Sequence, residues 1–216
     1  MNIIIFGPPG AGKGTQSDKI AKNFDLFKIS TGDLLRNEIK NRTDLGIKIK
    51  NIMEKGSLVS DEIINDLITN ILSDKKFSNR IIFDGYPRNL SQAEGLDSLL
   101  KKYNQELSCV VNLNVDKESI IKRILGRVIC SYCGLIFNKY FNTPDKKEHK
   151  CELKYLKTRT DDNEETIKRR FETYLKETLP ILNYYDNKKM LHHIDGMKNI
   201  DVIYKEICGI IASLEA

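Results

Sequence analysis

Short apolar runs alternate with amphipathic stretches along most of this chain. Ile3–Phe6, Phe27–Ile29, Ile81–Phe83, Cys109–Val115 and Leu191–Ile194 are three to seven residues long and rich in β-branched or aromatic side chains, the mark of strands buried on both faces. Between them, Gln16–Phe24, Gly32–Ile39, Asp61–Leu72, Ser91–Lys102, Lys117–Leu125, Glu164–Asn187 and Val202–Ser213 carry apolar residues at helical spacing. This alternation predicts an α/β fold: a doubly wound parallel sheet of five strands flanked by helices, with ligands at the carboxyl ends of the strands. Residues 127–160 break the pattern, with clustered Gly, Pro and Cys and no helical period, and read as a small inserted subdomain. No repeats or low-complexity tracts interrupt the rest.

The first apolar run leads directly into Gly7-Pro8-Pro9-Gly10-Ala11-Gly12-Lys13-Gly14-Thr15. The spacing Gly7-x4-Gly12-Lys13 between a strand and a helix is that of a phosphate-binding loop. Glycines let successive backbone N–H groups turn toward phosphate oxygens, Lys13 adds a point charge, and the next helix offers its positive end. Gly14 stands in the usual Ser/Thr slot and Thr15 follows one place later, a variant of the pattern.

Composition sharpens this picture. The net charge of +5 suits an anionic small substrate and is too modest to indicate nucleic acid. Five cysteines, an odd number with one Cys-x-x-Cys pair, point to a reducing, cytoplasmic compartment and a metal. No run reaches the roughly 20 apolar residues of a membrane span, and a secretory leader is not expected before a strand that begins at residue 2. Of 35 Lys and Arg residues only nine are arginines: Arg36, Arg42, Arg80, Arg88, Arg123, Arg127, Arg159, Arg169 and Arg170. Where lysine is the default cation, arginines mark places that need a rigid, bidentate phosphate grip. A phosphate loop among arginines suggests phosphoryl transfer between two phosphorylated molecules, where catalysis is positioning and charge neutralisation.

The ordered segments Gly7–Thr15, Ser30-Thr-Gly-Asp-Leu-Leu-Arg36, Gly56-Ser-Leu-Val59, Phe83-Asp-Gly-Tyr-Pro-Arg88 with Gln92, Arg123-Ile-Leu-Gly-Arg127, Arg159-Thr-Asp-Asp162 and Arg170 give the chain a resemblance to adenylate kinases of the long-lid bacterial type, in the variant whose lid binds zinc. The resemblance implies Mg2+-dependent, reversible transfer from ATP to AMP giving two ADP, in adenine nucleotide homeostasis, by a monomer with no nucleic acid or membrane partner. It implies a core of residues 1–29, 60–126 and 164–216, an AMP-binding arm at 30–59 and a lid at 127–163, the last two mobile. On the ATP side it places Gly10, Ala11, Gly12, Lys13, Gly14, Thr15, Arg123, Arg127, Ile136, Phe137 and, through its backbone, Lys198. On the AMP side it places Thr31, Arg36, Ser57, Leu58, Val59, Gly85, Tyr86, Pro87, Arg88, Gln92, Arg159 and Arg170. Lys13, Asp84, Arg88, Arg123, Arg159 and Arg170 are the implied catalytic set, with Asp84 holding magnesium through water and Asp161 and Asp162 orienting arginines. Gln92 can pair with the adenine edge through donor and acceptor together.

The metal ligands need a choice. Cys130-Ser-Tyr-Cys133 is half a tetrahedral zinc site. The second half departs from the family's usual pair: Cys151 falls on the fourth ligand and Glu148 on the third, with His149 beside it. Histidine is the better zinc ligand, so the expected set is Cys130, Cys133, His149 and Cys151. Two other readings remain open on sequence: a nucleoside monophosphate kinase preferring UMP, CMP or GMP, and a nucleotide-gated zinc module that binds nucleic acid. Cys109 and Cys208 read as core residues, and one of His192 and His193 as facing inward without a catalytic role.

Overall fold

Isoleucine and valine drive the central sheet, because a strand covered on both faces must be apolar at every position. In the computed structural model, which describes residues 1–145 and 149–215, β1 (Asn2–Phe6) is buried along its whole length. β2 (Phe27–Ser30), β3 (Ile81–Asp84), β4 (Cys109–Asn114) and β8 (Leu191–Asp195) complete an all-parallel sheet in the order β2-β3-β1-β4-β8. Side chains alternate across it. Ile4, Phe6, Phe83 and Val110 pack with α4 (Asp61–Ser73), α5 (Leu90–Lys102) and α8 (Ile181–Asn187). Ile3, Ile5, Val111 and Leu113 pack with α1 (Lys13–Asn23) and α9 (Ile200–Glu215) on the other face.

The connection leaving β1 runs out past β3 to β2, and the connection leaving β3 runs back past β1 to β4, so the strand order reverses between β1 and β3. A cleft opens at such a switch point, at the carboxyl ends of the strands, and the glycine-rich loop follows β1 directly into it. Two additions border the cleft. After β2, helices α2 (Thr31–Lys40) and α3 (Asp44–Glu54) form a hairpin turned at Arg42, whose φ is 52°. After α6 (Lys117–Leu125), the strands β5 (Arg127–Cys130), β6 (Ile136–Asn138) and β7 (Leu156–Lys157) make a three-stranded antiparallel sheet in the order β6-β5-β7.

The sequence periodicity misses α3 and runs Glu164–Asn187 together as one helix. The chain instead forms α7 (Glu164–Thr173), a wide π turn over Tyr174–Thr178, and α8. Leu179 N–H donates to the Tyr174 carbonyl at 2.8 Å, five residues back. Pro180 has no N–H with which to continue the ladder, so α8 starts afresh after it. None of the described helices is both long and apolar enough to cross a membrane.

Candidate active site and lid metal centre

The glycine loop is shaped before any ligand arrives. Gly7, Gly10 and Gly12 all have positive φ (144°, 81° and 98°). A Cβ on Gly10 would lie 2.7 Å from Ile124 Cγ1 of α6, so a side chain here would force the loop away from the helix. Gly12 caps α1 with no side-chain partner, and the first turn of α1 holds no acidic residue. The N–H groups at this helix start are therefore left for an anion. Lys13 folds back over the loop, its Nζ donating to the Gly7 and Pro8 carbonyls at 2.7 and 2.9 Å. Burial lowers its ammonium to about 8; Asp84 opposes this, and Arg88, Arg170 and Arg127 add to it.

Asp84 ends β3, beside the loop, and is nearly buried. Burial raises its carboxyl, against the pull of Lys13 and Lys28. Lys28 Nζ sits 4.0 Å from Asp84 Oδ2 and 2.6 Å from Asp18 Oδ1.

Six of the nine arginines (36, 88, 123, 127, 159 and 170) line one cavity of about 480 Å3 together with the loop and Asp84. Arg80 and Arg169 pair instead with Asp25 and Glu165 at the surface. Three aspartates aim the guanidiniums. Arg170 donates to Asp161 Oδ2 at 2.9 Å, Arg127 Nε to Asp162 Oδ2 at 2.8 Å, and Arg36 to Asp33 Oδ1 at 2.5 Å. Asp33 also accepts from Arg159, at 3.5 Å, which links the α2–α3 hairpin to the segment after β7. Backbone carbonyls hold two more: Arg88 Nε donates to Gly85 at 2.7 Å and Arg123 to Gly196 at 2.8 Å. Burial, then the neighbouring arginines, push Arg88 and Arg159 down to about 10. Arg159 Nε is buried with no hydrogen-bond partner among the described residues. Six arginines and Lys13 against Asp33, Asp84, Asp161 and Asp162 leave an excess of partly desolvated positive charge, a site built for a multiply charged anion.

The other expected residues are placed as follows. Gly10–Thr15, Leu58, Gly85, Pro87, Ile136, Phe137 and Lys198 also line the cavity. Thr31 is buried and its hydroxyl donates to the Gly85 carbonyl at 3.0 Å. Val59 and Tyr86 are core residues, and Ser57 is exposed at the edge of α3. Gln92 is 2% exposed, with its amide bonded to Arg88 N and Asp61. Phe137 turns inward (3% exposed) and meets the His149 ring edge-on at 5.1 Å. The open aromatic face on this wall belongs to Phe141, 57% exposed, with the Arg123 guanidinium 6.0 Å from its ring centre. Sequence reading passed over Phe141 because the insert has no period against which an exposed ring stands out. It also passed over Lys28, one lysine among many.

In the inserted sheet, one ligand atom each from Cys130, Cys133, His149 and Cys151 lies within 4.8 Å of the others. The alternative ligand Glu148 lies outside the described residues. Cys133 N–H points at Cys130 Sγ, 3.5 Å away, the arrangement in which a backbone donor supports a thiolate. Burial opposes ionisation of Cys130, and hydrogen bonds from His149 and the Cys133 and Tyr132 N–H groups outweigh it, bringing the thiol down to about 6. Cys151 is pushed up to about 11 by burial and by the two neighbouring thiols. His149 Nε2 is buried without a partner among the described residues. Three thiols and an imidazole with ligand atoms this close together fit a tetrahedral zinc ion.

The sequence profile described as adenylate kinase matches residues 5–190. The chain is 46% identical over 211 residues to an adenylate kinase of Pelagibacter ubique (strain HTCC1062), covering 98% of this chain and 99% of that one. It is 42% identical over 213 residues to one of Methanosarcina barkeri (98% of each chain), and 39% identical over 218 residues to one of Archaeoglobus fulgidus (all of each chain). A phosphate loop at the sheet's switch point, an arginine-lined cleft and end-to-end similarity agree: the chain belongs to the adenylate kinase family.

Proposed function

We propose that this cleft moves the terminal phosphoryl group of ATP to AMP, reversibly, giving two ADP. The observation that carries the reading is the convergence of six arginines, Lys13 and Asp84 on one cavity. The attacking group is a phosphate oxygen, already ionised, so no strong general base is required. What the protein must do is hold two polyanions in line and cancel the charge that spreads over the transferring group.

The loop N–H groups, Lys13, Arg123 and Arg127 hold the ATP phosphates, and Arg36 and Arg88 the AMP phosphate. Arg159 and Arg170 face the group in transit. On binding, Lys13 exchanges its two loop carbonyls for phosphate oxygens. The Asp161 and Asp162 carboxylates offset the mutual repulsion of Arg170 and Arg127 and hold both facing the cleft before substrate arrives. Asp84 would hold magnesium, which would supply further charge neutralisation. Residues 30–59 form the AMP-binding arm and 127–163 the lid, and Arg159–Asp33 is a contact between them. Their closure excludes water that would otherwise take the phosphoryl group. In the lid, Cys130, Cys133, His149 and Cys151 hold zinc, a structural role for a segment too small to build its own core.

A coupled assay of ADP formation tests the reading. With Mg2+, ATP and AMP give two ADP per ATP consumed, and kcat/KM for AMP exceeds that for UMP, CMP and GMP by about 100-fold or more. ATP consumption that does not depend on AMP, or a preference for another monophosphate, would overturn it.

A further inference from the structure

Gln92 is a group whose chemistry can be reversed without changing its shape. A half-turn of a carboxamide exchanges acceptor for donor. Adenine presents an amino donor beside a ring-nitrogen acceptor on its Watson–Crick edge; guanine presents a carbonyl acceptor beside a ring N–H. A glutamine free to turn reads either purine.

Here it is not free. Gln92 Nε2 donates to Asp61 Oδ1 at 2.7 Å, and Gln92 Oε1 accepts from Arg88 N–H at 2.8 Å. An ionised carboxylate can only accept and a backbone N–H can only donate, so both partners demand the same orientation. The reversed amide would set oxygen against the Asp61 carboxylate and NH2 against the Arg88 N–H. Gln92 is nearly buried, where water cannot relieve either clash. Asp61, at the first position of α4, is itself held: Asn89 Nδ2 donates to its two oxygens at 2.9 and 3.2 Å. Asn89 Oδ1 in turn accepts from Gln92 N–H at 2.8 Å, capping α5. The three side chains close a ring at the start of two helices. One hydrogen on Nε2 and one lone pair on Oε1 stay available after these bonds, and they are the pair a base edge can meet.

We infer that Asp61 is a specificity-determining positioning residue: with the Arg88 N–H it locks the Gln92 amide in the orientation that accepts adenine and refuses guanine. The inference rests on the reading of Gln92 as part of the AMP site. Asp61 touches no substrate and acts only through Gln92.

The test is the ratio of kcat/KM for AMP to that for GMP, with ATP as donor, in Asp61→Asn. The substitution keeps size and shape but gives position 61 a carboxamide that satisfies either orientation of Gln92. The ratio is expected to fall by about tenfold or more, through weaker use of AMP and stronger use of GMP, with the KM for ATP unchanged. Gln92→Ala separates the two levels of the argument. If Gln92→Ala raises the KM for AMP while Asp61→Asn, folded as judged by its melting curve, keeps the parental ratio, the lock is wrong and the AMP site stands. If Gln92→Ala leaves AMP kinetics unchanged, the placement of Gln92 fails and the lock falls with it.

Discussion

At the scale of single residues, the site works by holding cations where they are uncomfortable. Lys13 is buried enough to be lowered to about 8, and phosphate oxygens would reverse that by favouring the charged form. The sign follows. Between the ligand-free value near 8 and the higher value in the complex, the complex binds more protons than the free protein, so ATP affinity falls as pH rises through that window. Titration calorimetry at about pH 8.5, in two buffers of different ionisation enthalpy, should show net proton uptake on ATP binding, lost in Lys13→Met. Affinity that is flat from about pH 7 to about pH 9 would contradict the assignment. Residue type also explains how much of this scale is legible in sequence. Against a lysine-rich background, Arg36, Arg88, Arg123, Arg127, Arg159 and Arg170 stand out as groups that lysine cannot replace, and they meet in one cleft. Lys28 and Phe141 do not stand out. A lysine near Asp84 looks like any other lysine, and Phe141 lies in the turn after a three-residue strand, where no period says which way a ring faces.

At the scale of elements, the strands are readable because burial on both faces leaves no room for polar positions. The arm is harder. α3 lays Leu45, Ile49, Ile52 and Met53 against the core, but the exposed Ile47 gives Leu45-x-Ile47-x-Ile49 a two-residue alternation that blurs the helical period. The α7–α8 break is hidden because the amphipathic period continues through the π turn. One consequence is that Thr178, in the turn, donates its hydroxyl to the Arg88 carbonyl at 2.8 Å, tying this helix to the loop after β3 that lines the cleft. The lid sheet shows the opposite case: its period is absent, yet its cysteines name its chemistry. Three thiols and a buried imidazole with an orphaned nitrogen should hold about one zinc per chain. Removing the metal with a chelator should lower the melting temperature of the lid ahead of the core, and make Cys130 and Cys151 react with a thiol reagent that they resist when loaded. Turnover falls because the lid no longer closes in order. Gently purified protein with no bound metal, and thiols that react alike with and without chelator, would show the four side chains to be an unused cluster.

At the scale of the whole molecule, topology does the positioning. The sheet order puts β1 at the switch point, the loop after β1 faces the gap, and the α2–α3 hairpin and the three-stranded sheet are inserted after β2 and after α6. Arginines from four separate stretches of chain, Arg36, Arg88, Arg123 with Arg127, and Arg159 with Arg170, thereby face one volume. Periodicity can give the strands and helices, but the convergence depends on how the chain crosses over, and the glycine loop is the one sequence feature that marks where the crossing lies. The central claim is that both nucleotides occupy this single volume, end to end across the loop. Its most direct test is competition binding with a bisubstrate mimic, two adenosines joined by a chain of phosphates. One mimic should bind per chain, displacing ATP and AMP together, with affinity that drops sharply in Arg88→Lys. ATP that still binds to protein saturated with the mimic would contradict it.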